Sequence, residues 1–137
     1  MSAIKVFILS DSIGETAHNV ALAAAAQFSD YDIRYQRFPF VRTDSLLQTV
    51  LSQALKEHAA IFHTFVDRRL SQIVNQFCEA HELPYYDVIT PALDTFSQIT
   101  HVQPSNHPGT VHALNTNYFD RINAIEFAVT YDDGKNP

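Results

Sequence analysis

The residues best placed to do chemistry lie in Ser10-Asp11-Ser12-Ile13-Gly14-Glu15-Thr16, directly after the apolar run Val6-Phe7-Ile8-Leu9. In an open parallel sheet, ligands bind beyond the carboxyl ends of the strands, near the point where strand order reverses. A loop of this kind, backed by a helix N-terminus, can hold phosphate on its backbone N–H groups. The Ser10 and Ser12 hydroxyls would add hydrogen bonds. Asp11 could accept a proton or hold a metal ion. A purely structural reading competes. Ser12 and Glu15 have capping-box spacing and would then satisfy backbone donors, and Gly14 would serve close packing. The segment is neither a Gly-x-Gly-x-x-Gly fingerprint nor a P-loop.

Other candidates follow the next strands. In Phe40-Val41-Arg42-Thr43-Asp44, the Arg42 fork suits phosphate or carboxylate; alternatively, Thr43 caps a helix and Arg42 is solvated. Asp67, in Val66-Asp67-Arg68-Arg69, reads as a helix N-cap, with the two arginines on a solvated face. His101, His107 and His112 lack cysteine partners and helical His-x-x-x-His spacing, so zinc has weak support. His112, after Pro108-Gly109-Thr110, is a candidate acid/base or phosphate contact. No Gly-x-Ser-x-Gly elbow is present, which argues against a serine hydrolase.

These residues need elements to position them. The apolar run 6–9 suits a central strand covered on both faces. Ala17, Val20, Ala21, Ala24, Ala25 and Phe28 follow at helical spacing. A second strand is expected over 32–38, closed by Pro39, and a helix carries Leu46, Leu47, Val50, Leu51, Ala54 and Leu55. A strand over 59–65, a helix with Leu70, Ile73, Val74, Phe77 and Cys78, and a strand over 85–89 complete the alternation. This pattern predicts an α/β fold: a small doubly wound, mainly parallel sheet of about four strands with flanking helices. A short helix is expected over 91–99, then an irregular excursion over 100–116. Residues 117–131 fit a helix better than a strand.

Composition narrows the function classes. A chain of 137 residues can bury a core without staples. It is 46% hydrophobic and 18% charged, which fits a globular protein and not a disordered one. Its net charge of -6 argues against nucleic-acid binding, although Arg34, Arg37 and Arg42 make a local basic spot. Cys78 is the only cysteine, within an apolar stripe, and reads as a buried structural thiol. There is no signal-peptide pattern and no apolar run long enough to span a bilayer. A cytoplasmic location without a membrane partner is the expectation.

Several segments, taken in order, resemble a known family. They are Asp11-Ser12-Ile13-Gly14-Glu15-Thr16-Ala17, Pro39-Phe40-Val41-Arg42-Thr43, Gly109-Thr110-Val111-His112, the run from Tyr118 to Val129, and Tyr131-Asp132-Asp133-Gly134-Lys135. Together they look like the bifunctional regulators of pyruvate, phosphate dikinase and of phosphoenolpyruvate synthase. The Asp-Ser-Ile-Gly-Glu-Thr-Ala form is closer to the dikinase regulators. The resemblance implies phosphorylation of a target threonine with ADP as donor. It also implies removal of that phosphate by inorganic phosphate, releasing pyrophosphate. In-line phosphoryl transfer of this kind needs positioning and charge neutralisation.

The resemblance also implies site roles. Asp11 and His112 are the catalytic candidates. Ser10, Ser12, Gly14, Arg42, Thr43, Arg121, Asp132 and Asp133 are candidates for phosphate or target binding. The family's P-loop-like motif is expected after the Asp-Asp-Gly segment, yet glycine occurs here only at 14, 109 and 134. Residues 1–131 therefore read as the N-terminal α/β domain of a longer regulator, with 132–137 starting a linker to a nucleotide-binding domain. This part is expected to bind no cofactor and to be inactive alone; ADP and phosphate belong to the full-length protein, and whether Mg is required there is open. The expected partner is the dikinase or the synthase, and self-association is open. The alternatives are a non-catalytic docking or dimerisation module, or a stand-alone phosphate-binding flavodoxin-like domain.

Overall fold

The computed structural model describes residues 3–105. Its order is β1 (Ile4–Ser10), α1 (Glu15–Ala25), β2 (Ile33–Phe38), α2 (Asp44–Glu57), β3 (Ala60–Thr64), α3 (Arg68–His81), β4 (Tyr85–Asp87) and α4 (Thr90–Thr100). The strands form one sheet in the order β2-β1-β3-β4, and every pairing is parallel. The expected α/β architecture with an interior first strand is the one observed. Residues 106–137 lie outside the described part, and with them the expected helix over 117–131.

Pleating divides the sheet into two faces. Phe7, Leu9, Ile61 and Phe65 face one way and pack with Leu47, Leu51, Leu70 and Val74 of α2 and α3. Val6 and Ile8 face the other way and pack with Ala17 and Ala21 of α1. A large apolar side chain contributes roughly 1.5–3 kcal/mol on full burial. The α2/α3 side, rich in Leu, Phe and Ile, therefore carries most of the burial energy. The α1 side is built on alanine, which brings the helix close to the strands but buries little.

β4 is shorter than its apolar run suggested. It stops at Asp87, whose Oδ1 accepts from the Thr90 amide at 3.1 Å and starts α4 three residues before Leu93. Cys78 is buried as expected. Burial, with the nearby Glu79 charge, pushes its thiol up to about 11, so the thiolate is scarce at neutral pH.

The first turn departs from the capping-box expectation. α1 begins at Glu15, behind Gly14 at φ 84°, and no side chain caps it. Ser12 cannot serve, because its carbonyl accepts from the Phe40 amide at 2.8 Å and holds it outside the helix. A Cβ on Gly14 would meet Ser10 Cβ at 3.4 Å, in a backbone region that side chains avoid. Gly14→Ala should lower stability by about 1–2 kcal/mol, read as an earlier urea midpoint at unchanged slope.

Candidate functional site

The carboxyl ends of β1 and β3 adjoin, and their loops leave toward α1 and α3 on opposite faces. This is the switch point of the sheet. Asp11 occupies it. Its carboxylate, fully buried, accepts from Asp67 N at 3.0 Å and from Val66 N at 3.4 Å. The first bond has good length and the second is stretched. The N–H groups of the β3–α3 turn, a natural anion site, are thus taken by the protein's own carboxylate. Burial raises the Asp11 pKa above 3.8, against the lowering effect of these bonds.

The β1–α1 loop is then fixed from three directions. Ser10, buried, turns its hydroxyl to accept from Ser12 N at 2.9 Å. The segment after β2 runs alongside, with Val41 N donating to the Ser10 carbonyl at 2.9 Å. Arg42 Nε donates to the Asp11 carbonyl at 2.8 Å, and Arg37 Nη2 to the Ile13 carbonyl at 3.2 Å. Phe40, at φ 57°, lies 5.2 Å beneath the Arg42 guanidinium. Both arginines are exposed, so their remaining donors face solvent beside the uncapped start of α1.

The sequence candidates Ser10, Asp11, Ser12, Gly14 and Arg42 therefore meet in one place. Thr43 sits next to them but is committed as the α2 cap, accepting from Leu46 N at 3.1 Å. Asp67 caps α3, as expected. Arg68 and Arg69 pair with Asp94 and Asp44. His101 is the C-terminal cap of α4, away from this loop. His107, His112, Arg121, Asp132 and Asp133 lie outside the described residues. Among the described residues no group of His, Cys, Asp or Glu is arranged to hold a metal ion.

Sequence reasoning passed over a buried polar chain next to the site. His63 Nε2 lies 2.8 Å from Asn75 Oδ1, and Asn75 Nδ2 donates to Asp87 Oδ2 at 3.0 Å. With the amide nitrogen turned to Asp87, the Asn75 oxygen faces the imidazole, so Nε2 carries the proton. His63 Nδ1 is then an acceptor, buried without a partner. The available signal was parity. His63 alternates with Ile61 and Phe65, and is in register with Leu9 and Asp87. Arg37, seen only as part of a basic spot, is the other residue that the structure adds.

The profile of the kinase/pyrophosphorylase family matches residues 6–137. The chain belongs to this family. A protein of Pediococcus pentosaceus, provisionally named pyruvate, phosphate dikinase regulatory protein, is 50% identical over 98% of this chain and 50% of its own length. One of Levilactobacillus brevis with the same name is 50% identical over 100% of this chain and 50% of its own length. A third, of Lacticaseibacillus casei, is 43% identical over 98% of this chain and 49% of its own length. The chain spans about half the length of the relatives it matches. No helix among the described residues is long and apolar enough to cross a membrane.

The buried groups fix the sign of the pH response. Burial lowers the His63 pKa below 6.5, although Asp87, Asn75 and Asp11 favour its charged form. Its contribution to stability is complete above 6.5 and is lost as pH falls toward the folded-state pKa. Asp11, with its raised pKa, contributes stability below 3.8 that is lost as pH rises through its folded value. Chemical denaturation should therefore show stability falling below pH 6.5, with a slope of at most about 1.4 kcal/mol per pH unit. His63→Phe should remove that slope while leaving the opposite Asp11 response in place.

Proposed function

We propose that this chain is the target-facing half of a bifunctional regulator of pyruvate, phosphate dikinase. In the forward reaction a threonine hydroxyl of the dikinase attacks the β-phosphorus of ADP. The new bond is Oγ–P, the broken bond is the bridging P–O bond, AMP leaves, and the hydroxyl proton is released. In the reverse direction an oxygen of inorganic phosphate attacks the phosphothreonine phosphorus. The P–Oγ bond breaks, pyrophosphate leaves, and the threonine oxygen regains a proton. The observation that carries the reading is the family match across 6–137, with relatives named for dikinase regulation.

The geometry supports a role in handling phosphate. The β1–α1 loop presents an uncapped helix N-terminus with two exposed guanidiniums at its rim. Such donors stabilise charge on a transferring phosphoryl group without moving during the reaction. Asp11 acts on this reading as the anchor that holds the loop, since its carboxylate is buried on amides. ADP would be held by the other half of the regulator.

A transfer assay with β-labelled ADP and the dikinase tests the proposal. The complete regulator should label a dikinase threonine, and 1–137 alone should not. Arg42→Ala in the complete regulator should slow both directions by about 10- to 100-fold with the fold intact. Full labelling by 1–137, or an unchanged rate in the variant, would contradict it.

A further inference from the structure

Among the described helices, α4 is held differently from the other three. None of its residues is buried. Phe96, Ile99 and Val102 are each about two-thirds exposed, along one side of the helix and its exit. Apolar burial therefore does little to seat it. Its ion pair to the body, Asp94 to Arg68 at 3.0 Å, is exposed on both sides, and exposed pairs contribute little.

The remaining hold is polar and continuous. Asp87 ends β4, and its Oδ1 takes the Thr90 amide at the start of α4. Its Oδ2 takes the Asn75 amide from α3, and the Asn75 oxygen takes the proton of buried His63 on β3. One carboxylate thus joins the first turn of α4 to the core through two side chains. Hydrogen bonds to a charged group, partly shielded from water, are stronger than the exposed ion pair. The segment between, Val88-Ile89, is short, and Val88 N is itself fixed to the His63 carbonyl at 2.9 Å. Motion would centre on Ile89 and the first turn of α4.

We propose that α4 is a hinged helix, seated at the carboxyl edge of the sheet by the His63–Asn75–Asp87–Thr90 chain, and that it detaches and melts as a unit when that chain opens, because a helix of this length is marginal once it stands alone in water. The hinge lies on the same edge of the parallel sheet as the candidate site, with β3 between β4 and β1. Opening would also part Asp94 from Arg68, freeing a guanidinium at the start of α3.

Hydrogen exchange by mass spectrometry on the 137-residue chain tests this, comparing wild type, Asp87→Ala, Asp87→Asn and Arg68→Ala. Asp87→Ala should speed exchange in 90–100 by about tenfold while peptides of β1 and β3 change less than about twofold. Asp87→Asn retains an acceptor for Thr90 but offers Asn75 a second donor, and should fall between. Arg68→Ala should leave 90–100 near wild type. Uniform acceleration across the chain would make Asp87 an ordinary core residue and overturn the proposal. So would unchanged exchange in 90–100, or exchange there that is already unprotected in wild type.

Discussion

One carboxylate organises the carboxyl edge of this sheet. Asp11 leaves β1 on the α2/α3 side of the sheet and caps the turn that begins α3. Its backbone carbonyl, on the same residue, takes Arg42 from beyond β2. Three connections that would otherwise fray independently at the carboxyl edge are tied through a single position. The arrangement has a cost, since burial opposes the charge that makes the bonds strong. It also has a geometric consequence. With the α3 amides filled from inside, the uncapped start of α1 offers donors at this edge.

The division of burial energy between the two faces reinforces this. The α2/α3 side is a packed apolar core, and among the described residues the one buried side-chain polar atom without a partner is an imidazole nitrogen of His63. The α1 side rests on alanines. The firm side supplies Asp11 with its partners. The lighter side presents the loop, turned at Gly14 and stiffened by carbonyl contacts from Arg37 and Arg42. The proposed role in handling phosphate calls for donors that are fixed before the ligand arrives, and here the loop is held from beneath.

Much of this was legible in the sequence, for identifiable reasons. The continuous apolar run 6–9 marked an interior strand, and alternating strand and helix patterns marked a parallel sheet. The topology rule then placed Ser10, Asp11 and Gly14 at its carboxyl edge. Local capping was half legible. Thr43 and Asp67 cap as their positions suggest. Ser12 does not, because a long-range bond from Phe40 outcompetes the local one. Asp11's bonds to residues 55 and 56 positions away have no local signature. Nor does the His63–Asn75–Asp87 chain, which depends on strand register and on a helix crossing above it. Family resemblance supplied the chemistry, which patterning alone could not.

The account turns on where the free anion donors are. The most direct measurement is a titration of the 137-residue chain with inorganic phosphate, followed by backbone and guanidinium nitrogen–proton NMR correlations. The account predicts that shifts concentrate at the amides of residues 13–16 and at the Arg37 and Arg42 side chains. The amides of Val66 and Asp67, already held by Asp11, should stay nearly still. Principal shifts at Val66 and Asp67, or none at the β1–α1 loop at saturating phosphate, would contradict it.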